Sequence, residues 1–237
     1  MLRENQFRVR RLLPLALLAC SCAYAGARPT VIELYTAEGC SSCPPAEALL
    51  GQIANRPDVI ALALHVDYWD HSGWVDKYAL SAATRRQNLY ARSLRRASVV
   101  TPQFVIDGAR HVEGTNPPEI IAAATAAPQG IPVDLAIDAG QLRIALGAAA
   151  GAERGDIVLF AYLPRTVSTI GRGENAGRTL EEFNVVRAMR TLDSWDGRAK
   201  NLEVPLAQLP PDATELAVIV QHSGPGQIVG AAHIALH

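Results

Sequence analysis

The sequence predicts an α/β unit of element order β-α-β-α-β-β-α, followed by a mainly β, sandwich-like unit. Two observations predict it. Between Thr30 and Ala127 short apolar runs alternate with stretches of helical spacing, and after Pro132 the apolar residues switch to a period of two.

Each element has its own signal. "TVIELYT" (30–36) is a short apolar strand that runs toward two cysteines, and "AEALLGQIA" (46–54) sets Ala46, Leu49, Leu50 and Ile53 on one helical face. "DVIALALHVD" (58–67) is a near-continuous apolar run, the pattern of a strand buried on both faces. "LSAATRRQNLYARSLRRA" (80–97) reads as a helix in which Arg85, Arg86, Arg92, Arg95 and Arg96 form a solvated face. "QFVIDG" (103–108) and "RHVEG" (110–114) form a hairpin around Asp107-Gly108. "PPEIIAAATAA" (117–127) is a helix capped by Asn116, with prolines in its first turn. Beyond "APQGIP" (127–132) come "VDLAIDAG", "LRIALGA", "GDIVLFAYLP" (155–164), "TELAVIVQH" (214–222) and "QIVGAAHIAL" (227–236), strands separated by Gly/Pro turns. Between them "GRGENAGRTLEEFNVVR" (171–187) is too polar and glycine-rich for a buried strand and reads as a long loop, either bland or covering a site. The expected units are therefore 29–128 and 132–237.

Residues 1–25 are set apart. Arg3, Arg8, Arg10 and Arg11 precede an apolar stretch from Leu12 to Ala19, and small residues end in Ala23-Tyr24-Ala25. This is the pattern of a secretory signal peptide cut after Ala25, and it points to a periplasmic or secreted protein. The apolar core falls short of the ~20 residues that cross a bilayer, so no transmembrane anchor is expected. A rival reading takes "LLAC" (17–20) as a lipobox that would lipidate Cys20. With cleavage after Ala25, Cys40 and Cys43 are the only thiols left, in a compartment where a disulfide persists. The chain carries 22 basic and 23 acidic residues, a balance that gives no field for nucleic acid.

"GCSSCPP" (39–45) is the stretch with chemistry in it. Two cysteines separated by two residues close a small ring, and a cysteine near a helix N-terminus gains thiolate character from the orphan N–H groups there. Cys40 would then attack and Cys43 resolve. A structural disulfide is the bland alternative, although so short a ring restrains the unfolded chain little. A mixed sulfur and nitrogen metal site with His65 and His71 is a third reading; no close His-x-His or second cysteine pair supports it, and no metal or cofactor is expected. The glycines at 171, 173 and 177 do not have dinucleotide-binding spacing.

A strand leading into Cys-x-x-Cys at a helix start, with Thr101-Pro102 before "QFVIDG", resembles the thioredoxin fold with its active-site disulfide and cis-proline. "VIELYTAEGCSSCPPAEALL", "HVDYWD", "GW", "RRQNLYA", "TPQFVIDG" and "RGENAGRTL" together resemble a family of secreted bacterial proteins of unknown function with a thioredoxin-like domain. The resemblance implies a thioredoxin-like first unit in which Cys40, Cys43 and Pro102 are catalytic and Thr101 lies beside the substrate. Three departures bear on that. Gly39 stands where thioredoxins have tryptophan, Glu38 puts a carboxylate near Cys40, and Pro44-Pro45 delays the helix to Pro44 or Pro45.

"HVDYWDHSGW" (65–74) follows a strand end, so its aromatics should share the edge that carries Cys40. Tyr68 and Trp69 are the candidate substrate platform, against the plainer reading that such aromatics simply pack. Two functions follow. One is a periplasmic or secreted thiol-disulfide oxidoreductase acting on a protein or small-molecule thiol or disulfide; the other is a non-catalytic envelope binding or metal-chaperone module with a structural disulfide.

Overall fold

A computed structural model describes residues 26–149 and 151–236. The signal segment, its cleavage point after Ala25, Cys20 and Cys22 lie outside the described residues. The first half contains β1 (Gly26–Ala27), β2 (Thr30–Thr36), α1 (Pro44–Ile53), β3 (Val59–His65), a 3-10 turn (Asp67–Ser72), α2 (Ser81–Ser93), β4 (Gln103–Ile106), β5 (Arg110–Glu113) and α3 (Pro117–Ala124). The second half is β6 (Gln129–Gly130), β7 (Val133–Asp138), β8 (Gln141–Leu146), β9 (Gly155–Thr169), β10 (Thr179–Trp195), β11 (Lys200–Pro205), β12 (Glu215–His222) and β13 (Ile228–Ala235), with a 3-10 turn at Leu206–Gln208.

Eight strands form one mixed sheet in the order β13-β12-β9-β10-β3-β2-β4-β5, and β11-β8-β7 form a smaller one. β2 and β3 run parallel, from Thr30 opposite Val59 to Thr36 opposite His65. Pleating divides their side chains between two layers. Ile60, Leu62 and Leu64 of β3 join Val158 and Phe160 of β9 under α2, which contributes Ala83 and Tyr90. Val59, Ala61 and Ala63 face the other way, onto Ala46, Leu49, Leu50 and Ile53 of α1 and Ile120 and Ala123 of α3. On that second face Ile157 and Leu159 of β9 and Leu216 and Val218 of β12 meet Leu142, Ile144 and Leu146 of β8. The Asp107-Gly108 turn has both residues left-handed, at φ 48° and 67°, as a two-residue hairpin requires.

The order of elements between Thr30 and Ala127 is the predicted one, but the predicted fold class is overturned. The chain does not form a thioredoxin-like α/β domain followed by a separate β-sandwich. Among the described residues strands outnumber α-helices thirteen to three, and the large sheet runs through both halves. The cause is the edge of β3. There β10 pairs in parallel, Val185 opposite Ala63, and β9 and β12 extend the sheet from it. Asn184, left-handed at φ 48°, donates its side-chain amide to the Ala61 carbonyl at 2.9 Å and fastens the join. α1 closes on β10 through Gly51, where a Cβ would stand 2.6 Å from the Phe183 ring.

Arg86 is the second correction. Arg85, Arg92, Arg95 and Arg96 are exposed as expected, but Arg86 is buried. Its guanidinium holds both carboxylate oxygens of Glu33, at 2.6 and 2.9 Å, and donates to Gln221 Oε1 at 2.8 Å. Tyr35 and Tyr90 donate their hydroxyls to the same carboxylate. β2, α2 and β12 are thereby tied through one buried ion pair. Removing one partner strands a charge without water, so Arg86→Met is expected to lower unfolding free energy by about 3–5 kcal/mol, read by urea denaturation. A loss below about 1 kcal/mol would show that the pair does not tie these elements.

Candidate functional site

The end of β2 delivers the chain into Cys40, and Cys43 takes the N-cap position of α1, ahead of Pro44 and Pro45. The two cysteines form a disulfide with Cα atoms 5.4 Å apart. The helix begins at Pro44, as the prolines predict. They also alter what the helix end offers, because neither has an N–H. The amides of Cys43, Ala46 and Glu47 donate to the carbonyls of Cys40, Cys43 and Cys43. This turn therefore has few donors left for a thiolate.

Cys40 is 0% and Cys43 1% exposed, while Ser41 and Ser42 between them lie open to solvent. The cover comes from the β9–β10 connection, which is shorter than the 171–187 loop expected from sequence because β10 starts at Thr179. Asn175, fully buried, donates its side-chain amide to the carbonyls of Glu38 and Cys40, both at 2.9 Å. Glu174 accepts the Ser41 amide N–H at 3.2 Å, and Arg178 donates to Asn175 Oδ1 at 3.0 Å. A cavity of about 200 Å³ adjoins Cys43, bordered also by Thr36, Glu47, Leu180, Glu182 and Phe183.

The other residues chosen from sequence lie on the 3-10 turn after β3 and just before β4. Thr101-Pro102 is a cis peptide. Trp69 Nε1 donates to Thr101 Oγ1 at 2.7 Å, and Tyr68 donates its hydroxyl to Gln87 Oε1 at 3.1 Å. Both aromatics are half-buried and pack against the apolar cluster that contains Cys40 and Cys43. The Pro102 carbonyl already accepts the Gly114 amide N–H at 2.9 Å. Trp74 is held by the Glu38 carboxylate, which takes its indole N–H. His71 is exposed and His65 buried, and among the described residues no three His, Cys, Asp or Glu side chains are placed to hold a metal ion.

Beneath the disulfide lies a charge cluster that the sequence reading passed over. His65 Nδ1 pairs with Asp76 Oδ2 at 2.7 Å, and His65 Nε2 lies 3.9 Å from both Glu47 Oε1 and Glu182 Oε1. Asp76 also accepts the amides of Glu38 and Tyr78, each at 2.8 Å. Burial is the largest single effect on His65 and lowers it, but the carboxylates of Asp76, Glu47 and Glu182 together outweigh it and raise the group to about 9. Burial pushes Glu182 up to about 7 against the pull of His65 and Ser168. Glu47 is likewise raised by burial, with His65 pulling it back. For Asp76 burial works upward, yet His65 and the two amides win and the carboxyl is lowered. Neither Glu47 oxygen has a hydrogen bond of full geometry, although the Thr36 hydroxyl beside it also pulls the carboxyl down. A signal for Glu47 was present: it stands one helical turn after Cys43 and beside the buried Leu50, on the covered face of α1.

Residues 31–221 match the family described as "Protein of unknown function (DUF1223)". A protein of Agrobacterium tumefaciens, known from its X-ray crystal structure, is 30% identical with a TM-score of 0.78, over 89% of this chain and 96% of that one. HBP35 of Porphyromonas gingivalis is 14% identical with a TM-score of 0.64, over 90% of this chain and 76% of its own, a likeness of fold alone. A search of curated proteins finds no match.

The cluster fixes how stability depends on pH. Glu182 is raised from 4.5 to about 7 and His65 from 6.5 to about 9, so the folded state holds protons that the unfolded chain releases. Their contribution is complete below 4.5, shrinks as Glu182 ionises toward pH 7, and is lost as His65 discharges toward 9. Urea midpoints are expected to fall between pH 6.5 and 9 and to fall less steeply in His65→Gln. Parallel slopes in the two proteins would refute the assignment to His65.

Proposed function

The chain belongs to that family of unknown function, and we propose that it is a thiol-disulfide oxidoreductase working through Cys40 and Cys43. The observation that carries the reading is the cavity of about 200 Å³ bordered by Cys43, whose disulfide partner Cys40 is three positions earlier. A ring so short is a weak staple, and reactant space beside it suits exchange rather than restraint. Cys40 attacks or is attacked, and Cys43 resolves. Tyr68, Trp69, Thr101 and Pro102 form the flank against which a substrate rests.

The cover controls attack. The cavity borders Cys43 and not the wholly buried Cys40, so a thiol reaches the Cys40 sulfur only when the Asn175 loop moves. The signal-like segment before Gly26 supports action in the periplasm or outside the cell, on a protein or small-molecule thiol or disulfide. Burial of both cysteines favours the second reading, a binding module whose disulfide is structural. The two readings separate in solution.

On the redox reading Cys43→Ser captures mixed disulfides through Cys40, because attack proceeds while resolution cannot, and Cys40→Ser captures almost none. Mass spectrometry after incubation with cystamine and with periplasmic extract reads both. Equal silence of the two variants, with equal losses of stability, would leave the structural disulfide. Asn175→Ala is expected to speed reduction by a reduced protein dithiol by about tenfold, the effect of losing roughly 1.4 kcal/mol of loop closure. An unchanged rate would show that Asn175 does not gate access.

A further inference from the structure

Glu47 is a buried carboxyl that the fold partners only weakly, through the Thr36 hydroxyl and the His65 imidazole. It is 6% exposed, and neither oxygen has a hydrogen bond of full geometry. A carboxylate so placed is costly, and a carboxylic acid is far less so. Four groups face it. His65 reaches it from β3 and Glu182 lies across His65 on β10, both through Nε2 contacts of 3.9 Å. Asp76, from the segment before α2, occupies the other imidazole nitrogen at 2.7 Å, and Glu181 borders the same cavity.

One imidazolium cannot balance all of these carboxylates. Asp76 takes its charge at 2.7 Å, so Glu47 and Glu182 compete at 3.9 Å for what is left. A proton must make up the difference, and the two glutamates titrate as a coupled pair. Glu182 accepts the Ser168 hydroxyl at 2.9 Å, whereas Glu47 has only a loose contact with the Thr36 hydroxyl and borders the cavity together with Cys43. The amide of Glu47 donates to the Cys43 carbonyl, so the two side chains stand one turn apart on α1.

Resting on the oxidoreductase reading above, we propose that Glu47 is the proton donor and acceptor for Cys43, with His65 and Asp76 positioning and recharging it. A reductant thiolate attacks Cys40 Sγ and forms the mixed disulfide. The Cys40–Cys43 bond breaks, its electron pair leaves on Cys43 Sγ, and Glu47 passes its proton to that sulfur. Glu47 is left as a carboxylate facing the His65 imidazolium and regains a proton from solvent. The reductant's second thiol then displaces Cys40, so that two electrons enter the protein and the reductant departs as a disulfide. In reverse, the Glu47 carboxylate takes the Cys43 proton, and the thiolate so formed attacks the mixed disulfide at Cys40. This supply matters here because the prolines leave α1 with few N–H groups to steady a bare thiolate.

The test is stopped-flow reduction of the full mature protein by dithiothreitol across pH 5 to 9, with rates divided by the reductant's thiolate fraction. A donor must be protonated, so the corrected wild-type rate is expected to fall as pH rises through the Glu47 ionisation. Glu47→Gln should be about tenfold or more slower at low pH and lack that inflection, and Glu47→Asp should restore it in part. Wild-type rates and profile in Glu47→Gln would overturn the assignment. If Glu47→Gln does not fold, a flat corrected profile in the wild type overturns it equally. Dithiothreitol needs no natural partner, so this outcome is independent of trapping: loss of the Glu47 effect with partners still captured removes only the proton role. A Glu47 effect without capture instead removes the oxidoreductase reading.

Discussion

The pairing of β10 with the open edge of β3 is the constraint on which the rest of the structure depends. It turns two units into one sheet, because β9, β12 and β13 follow β10 outward from that edge. The same pairing decides the local chemistry. Register at Val185 and Ala63 places Glu182, three residues earlier, against His65 at the end of β3. It also aims the β9–β10 connection at the disulfide, where Asn175 reaches the Cys40 carbonyl. Without this join the cysteines would stand at an open helix end.

Enclosure has electrostatic consequences. Glu47, His65, Asp76 and Glu182 are buried, so charges that would be screened at a surface must be balanced locally. Position sorts them. Asp76 has two backbone amides and a direct imidazole contact and is stable as a carboxylate, while Glu182 has one hydroxyl and Glu47 no hydrogen bond of full geometry. The cluster thus grades from firmly ionised at Asp76 to easily protonated at the cavity wall. The Glu33–Arg86 pair on the other face of the sheet shows the contrast: every oxygen there is held by fixed donors, which suits anchoring and not proton exchange.

Local signals carried much of this in the sequence. Alternating apolar runs gave the order of elements from Thr30 to Ala127, Asp107-Gly108 marked its turn, and Pro44 marked the start of α1. What failed was any inference that needed a partner across the fold. β10 looked like loop because Glu182 and Asn184 interrupt its apolar pattern, yet both are inward residues, one facing His65 and the other bonded to Ala61. Arg86 looked solvated beside four other arginines because nothing local reveals Glu33, 53 residues away. His65 ends an apolar run, but the acids around it come from α1, the segment before α2, and β10. A single strand cannot show such a cluster.

The departures around the cysteines form one consistent arrangement. Pro44 and Pro45 remove two amides from the helix end that would otherwise steady a thiolate. Glu38 does not add its charge freely beside Cys40, because its carboxylate is engaged by Trp74 and its main chain by Asp76 and Asn175. A buried sulfur with weak anionic support leaves a disulfide poorly as a thiolate and better as a thiol, and the departure then needs a proton at hand. The only buried carboxyl on the first turns of α1 is Glu47, on the wall it shares with Cys43. Sequence features that weaken one route to cysteine reactivity therefore coincide with a structural feature that supplies the other.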